Sequence, residues 1–157
     1  MMRLFVKNFS WTTVLSIIAG MSCYIISLIT LQKSVPLGEI FDLKQGLFYY
    51  LLCYSIQVLL YLIVFLLFIK FSNNIRRNNY FNSQNFDIIF KSTILIIIYA
   101  TLNVIETWIP VDAVNKEILS SSFFTGVVLL NIGGMMLNFL SIYNESEAIK
   151  EEHDLTI

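Results

Sequence analysis

Residues 45–69 read QGLFYYLLCYSIQVLLYLIVFLLFI, and none of these 25 positions between Lys44 and Lys70 carries a formal charge. A helix needs about 20 apolar residues to cross a bilayer core of roughly 30 Å. Within lipid every backbone amide must be paired inside its own segment, which an α-helix achieves. The stretch therefore predicts a membrane-spanning helix.

Other uncharged stretches extend this prediction to four spans. Residues 8–32 and 118–144 form runs of 25 and 27 residues without charge. Residues 92–105 form a run of 14 that stays apolar to about position 111, so this span requires Glu106 to lie at the membrane interface. The predicted spans are at about residues 10–31, 47–69, 90–110 and 119–142.

The composition of the 157-residue chain supports a single membrane domain. Hydrophobic residues make up 57% and charged residues 13%, against roughly 25% charged in ordinary globular domains. The mean hydropathy is +0.73, and a soluble chain this small could not bury so much apolar surface. The net charge of −1 gives no basic field for direct binding of nucleic acid.

The distribution of Lys and Arg predicts the orientation, because cytoplasmic loops carry an excess of these residues. Short connections make successive helices antiparallel. The expected fold is therefore all-α, an up-down-up-down four-helix bundle with both termini cytoplasmic and an acidic tail at residues 143–157. Seven basic residues fall on the cytoplasmic side and three on the other: Arg3, Lys7, Lys70, Arg76, Arg77, Lys91 and Lys150 against Lys33, Lys44 and Lys116.

No constellation for enzyme chemistry emerges. The one histidine, His153, stands in a polar tail, whereas a catalytic zinc site commonly uses three protein ligands. The sequence contains no Gly-rich phosphate loop, no Ser nucleophile motif and no paired intramembrane carboxylates. Cys23 and Cys53 fall inside spans without zinc spacing. We expect a non-enzymatic protein with no catalytic residue, metal or cofactor.

Polar side chains inside the spans have two interpretations. They favour helix packing through interhelical hydrogen bonds of about 0.6–2 kcal/mol each, and a polar path for an ion or solute is the alternative. Glu106 is interpreted first as an interfacial carboxylate reaching water, and otherwise as a proton- or ligand-responsive group. The intramembrane polar residues are Gln57, Asn103, Glu106, Asn131 and Asn138.

Two pairs of small residues lie four positions apart, namely Ser16 with Gly20 and Ser122 with Gly126. Such pairs let helix backbones approach closely. They are suited either to packing inside the bundle or to a homodimer face, so the sequence is compatible with a homo-oligomer.

Two segments on the predicted cytoplasmic side carry features suited to contacts. Arg76 and Arg77 stand where anionic lipid headgroups attract basic residues at about 1 kcal/mol each, and the third helix is expected to begin near residue 83. The tail is acidic and contains Glu151, Glu152 and Asp154. These five residues are the predicted contacts with lipid or a partner protein.

The segment RNNYFNSQN at 77–85 and the ending AIKEEHDLTI at 148–157 resemble a bacterial family called domain of unknown function 2975. The resemblance implies a four-helix inner-membrane protein of unassigned activity. Members are often encoded beside a small helix-turn-helix regulator, which implies a membrane partner that sequesters or signals to a transcription factor. A small transporter or channel component and a membrane immunity or assembly protein are the alternatives.

Overall fold

The computed structural model describes residues 2–43, 46–77, 83–119, 132 and 139. Every regular element in these ranges is a helix, which confirms the all-α prediction for this part of the chain. Ile132 and Phe139 are helical, and the remainder of the fourth predicted span lies outside the described residues. The helices are α1 at Met2–Ser34, α2 at Leu37–Ile40, α3 at Gly46–Arg76, α4 at Ser83–Trp108 and α5 at Ala113–Leu119.

Three of these helices, α1, α3 and α4, are long and apolar enough to cross a membrane. They correspond to the first three predicted spans, and α4 begins at Ser83, where the sequence places its start. Two prolines follow helix ends, because a proline lacks the amide hydrogen that continues a helix. Pro36 follows the end of α1, and Pro110 follows the end of α4.

The turn after α4 lies against the beginning of α3. A Cβ atom placed on Gly46 would collide with the carbonyl oxygen of Pro110, so the two backbones meet without an intervening side chain. Only glycine permits such a close approach. This contact brings the proline turn and the N-terminus of α3 to the same end of the molecule.

Helix α3 is central, since α1 and α4 each pack along it. Its ring-bearing residues Phe65, Phe68 and Phe71 are completely buried. Its exposed residues repeat every three or four positions and therefore occupy one stripe. That stripe is apolar except at the C-terminal end of α3, as a lipid-facing surface must be. It consists of Tyr49, Leu52, Ile56, Leu59, Ile63, Leu66 and Lys70.

Small residues bring α1 close to α3. Thr13, Gly20 and Ser27 are buried at intervals of seven residues, so they share one face of α1. The Tyr61 ring of α3 lies against Gly20, and its hydroxyl donates a hydrogen bond of 2.6 Å to the Ser16 carbonyl oxygen. Close approach through small residues is a common mode of helix packing in membranes.

The Ser16–Gly20 pair therefore serves packing inside the fold, one of its two predicted uses. A second polar contact between the helices lies nearby, where the Tyr24 hydroxyl and the Ser55 hydroxyl are 3.1 Å apart. The Ser122–Gly126 pair lies outside the described residues.

Replacing Gly20 with alanine is expected to destabilise the protein by about 1–3 kcal/mol. The new Cβ would lie 2.8 Å from the Tyr61 ring and hydroxyl. That ring is only 2% exposed and is held by its hydrogen bond, so it has little room to move. Thermal unfolding in detergent measures the effect as a lower Tm.

Gly38→Ala is the matched control, because no atom lies within 4 Å of a Cβ at that position. Its Tm should equal or slightly exceed that of the wild type. A Gly20→Ala variant that unfolds at the wild-type temperature would contradict the close contact between α1 and α3.

Candidate functional site

Helix α4 has an apolar outer face and a polar inner face. The inner face carries Asn85, Ser92, Tyr99, Asn103 and Glu106, here called the polar stripe, and each is buried or half-buried. Spacings of 7, 7, 4 and 3 residues place them on one side of the helix. The exposed face carries Phe86, Phe90, Ile94, Ile97, Ile98, Val104, Ile105 and Trp108.

At the N-terminal end of α4, the stripe is joined to α3 by a hydrogen bond between two amide side chains. The Asn74 side chain of α3 donates a hydrogen bond of 2.8 Å from Nδ2 to Oδ1 of Asn85. Asn85 is buried, and a hydrogen bond is stronger where water is excluded. The Arg77 amide then bonds to the Asn73 and Asn74 carbonyl oxygens and ends the α3 helix. This amide pair joins α3 to α4 at a defined register.

The residues in the middle of the stripe form hydrogen bonds mainly to backbone carbonyl oxygens of α4 itself. The Ser92 hydroxyl donates a hydrogen bond of 2.8 Å to the Ile88 carbonyl oxygen. Asn103 donates a bond of 3.2 Å from Nδ2 to the Tyr99 carbonyl oxygen, and its side chain also contacts the Tyr99 hydroxyl. Because its Nδ2 atom points to the helix backbone, Asn103 can present its Oδ1 atom to a neighbouring group.

The outer end of the stripe is incompletely paired. Glu106 is 7% exposed and Gln57 of α3 is 5% exposed. The Gln57 amide approaches the Glu106 carboxyl, and the Cys53 thiol is also near it. The approach is too long or too poorly aligned for a hydrogen bond. Gln57 Nε2 and Glu106 Oε1 are both buried and have no hydrogen-bond partner among the described residues.

This geometry corrects the first interpretation of Glu106 as a carboxylate reaching water. The residue does lie near the end of α4, two positions before Trp108. Its side chain is nevertheless directed into the protein, because α4 is rotated so that its apolar face points outward. The second interpretation, a group that responds to a proton or ligand, is compatible with this placement.

Of the five predicted intramembrane polar residues, the structure brings Gln57 and Glu106 together, with Asn103 one turn away on the same stripe. Asn131 and Asn138 lie outside the described residues. The sequence analysis missed Asn85, Ser92 and Tyr99. Their seven-residue spacing was the signal that identifies a shared helix face.

The predicted contact residues Arg76 and Arg77 are exposed at the end of α3. Together with Asn73 they line a cavity of about 280 Å³. The acidic contact residues Glu151, Glu152 and Asp154 lie outside the part of the chain that the structure describes. Within that part, no cluster of three or more His, Cys, Asp or Glu residues is arranged to hold a metal ion.

Long apolar helices whose polar side chains meet between them define the class of this molecule, a helical membrane protein. The chain belongs to the family described as "Protein of unknown function (DUF2975)", whose profile matches residues 5–157. The match confirms the resemblance seen in the two short segments of the sequence. No functionally curated protein and no solved structure matches the chain.

A double-mutant cycle on Asn74→Ala and Asn85→Ala tests the amide pair. We expect a coupling energy of about 0.6–2 kcal/mol, because each single variant removes the same interhelical hydrogen bond. Equilibrium unfolding in detergent gives the four free energies that the cycle requires.

In the control double-mutant cycle, Thr93 takes the place of Asn85 as the partner of Asn74. The Thr93 hydroxyl is exposed on α4 and bonds to the Ile89 carbonyl oxygen of its own helix. Asn74→Ala and Thr93→Ala should therefore be additive. Equal coupling in the two cycles would contradict a specific bond between Asn74 and Asn85.

Proposed function

We propose that the chain is a non-enzymatic regulator in the bacterial inner membrane that holds a small helix-turn-helix transcription factor at the cytoplasmic face. One observation supports the proposal, which is the length of α3. Helix α3 contains 31 residues, or about 46 Å at 1.5 Å per residue. A bilayer core requires only about 30 Å.

The part of α3 and α4 that we expect to extend beyond the bilayer, here called the cytoplasmic hairpin, comprises residues 70–76 of α3, Arg77 and residues 83–88 of α4. Its interior is tightly packed, and the aromatic ring of Phe139 lies 5.6 Å from that of Phe71 between centroids. A packed surface loses little conformational entropy when it binds a partner. The buried side chains in this extension are Phe71, Ser72, Ile75, Asn85 and Ile88.

Charge supports binding of a DNA-binding protein. The acidic residues Glu151, Glu152 and Asp154 follow the fourth predicted span and carry the sign of charge that DNA phosphates carry. A helix-turn-helix domain presents a basic surface to DNA, which such a segment can occupy through complementary charge. Arg76 and Arg77 carry the opposite sign and suit lipid headgroups beside the docked partner.

Crosslinking in intact cells tests the proposal by comparing the full chain with a chain truncated after Tyr143. A soluble DNA-binding protein should be captured by the full chain alone. Replacing Glu151, Glu152 and Asp154 with lysine should abolish that capture, because the charges would then repel a basic surface.

Glu39→Lys is the matched control, since Glu39 is exposed at the opposite end of the molecule. It should leave the capture unchanged. The regulator proposal fails if the truncated and full chains capture the same proteins, or if tail charge reversal alters no interaction and no transcript.

The proposal requires the hairpin to be cytoplasmic. Single cysteines at Glu39 and Arg77, in a chain with Cys23 and Cys53 replaced by serine, report this orientation. A membrane-impermeant maleimide added to intact spheroplasts should label the cysteine at Glu39 but not the one at Arg77. The reverse labelling would place the hairpin outside the cytoplasm and exclude an intracellular partner.

A second candidate function is a component of a small transporter or channel. The polar stripe of α4 favours it, because polar groups inside membrane spans often mark solute pathways. Flux of an ion or solute in proteoliposomes that disappears in Glu106→Gln would support transport over regulation.

A further inference from the structure

We propose that Glu106, Gln57 and Asn103 form a binding site for a small monovalent metal cation between α3 and α4. Tyr99 acts as a positioning residue, because it contacts the Asn103 side chain. The proposal is independent of the transcription-factor partner, since the site lies at the opposite end of α3 from the cytoplasmic hairpin.

The first step in the argument is the pair of unpartnered atoms. Gln57 Nε2 and Glu106 Oε1 are both buried, and neither has a hydrogen-bond partner among the described residues. An unpaired buried polar group costs about 1–3 kcal/mol. Native proteins generally avoid this cost, and an unsatisfied group in a membrane interior points to a bound ion or water.

The second step is the chemistry of the donors. A carboxylate and two amides provide the oxygen atoms that hard cations prefer. Rotation of the Gln57 amide by 180° brings its Oε1 atom to the position of Nε2, since the two atoms occupy equivalent space. Asn103 already directs its Nδ2 atom to the Tyr99 carbonyl oxygen, which leaves Oδ1 as its available ligand.

The third step is the charge. Glu106 is the sole acidic residue of the polar stripe, and no Lys or Arg pairs with it among the described residues. One monovalent cation neutralises one carboxylate, whereas a divalent ion would leave a positive charge inside the membrane. Buried charges in proteins are paired or coordinate metals. Charge balance therefore selects a monovalent ion over a divalent one, and the pH arm of the test separates a metal cation from a proton.

The fourth step is access. Glu106 lies two residues before the end of α4, so an ion and its remaining water ligands have a short route from the aqueous phase.

The test is the thermal unfolding of the purified full chain in nanodiscs. The Tm is measured in the chlorides of lithium, sodium and potassium, and in choline chloride at the same ionic strength. At least one alkali cation should raise the Tm saturably by about 2 °C or more over choline. The response should disappear in Glu106→Gln, which keeps the shape of the side chain but removes its charge.

Glu39→Gln is the matched control, because that carboxyl is exposed at the outer turn, and the alkali response should persist in it. The dependence of the wild-type Tm on alkali chloride concentration tests the proposal even if Glu106→Gln does not fold. Equal Tm values in alkali and choline chlorides would overturn it. A response that survives in Glu106→Gln, or one that depends on pH without any cation preference, would also overturn it.

Discussion

A side chain that carries an amide, hydroxyl or carboxyl group is costly to leave against hydrocarbon, and this constraint sets the rotation of α4. The helix carries the polar stripe on one face, and that face meets another helix. Its partner is α3, which supplies Asn74 at one end and Gln57 at the other. With that rotation fixed, the large apolar residues Phe90, Ile97 and Val104 are directed outward and exposed.

The two neighbours of α3 are held in different ways. Helix α1 approaches through Gly20 and is fixed by the Tyr61 hydroxyl, so its contact depends on small residues and shape. Helix α4 is held by polar contacts with α3, and these contacts are not equally well satisfied along the helix. The Asn74–Asn85 pair is complete, whereas the Gln57–Glu106 pair leaves atoms unsatisfied. The α3–α4 contact is therefore complete where Asn74 meets Asn85 and incomplete where Gln57 approaches Glu106.

Long uncharged runs were sufficient to predict α1, α3 and α4, because a helix needs a minimum apolar length to cross the hydrocarbon core. Pro36 and Pro110 follow helix ends, in accord with local backbone chemistry. The position of Glu106 near a helix end was also predictable, but the direction of its side chain was not. That direction depends on the rotation of α4 against another helix, which no local pattern specifies. The fourth span, its asparagines and the acidic tail stay predictions.

The measurement that most directly tests this account is a spin-label scan of α4 in nanodiscs, using a chain without its native cysteines. Oxygen dissolves in lipid and therefore broadens the signal of labels that face the bilayer. Labels at Phe90, Ile97 and Val104 should be highly accessible to oxygen, and labels at Ser92 and Tyr99 should be protected. Equal accessibility at all five positions, or the reverse pattern, would contradict the inward direction of the polar stripe.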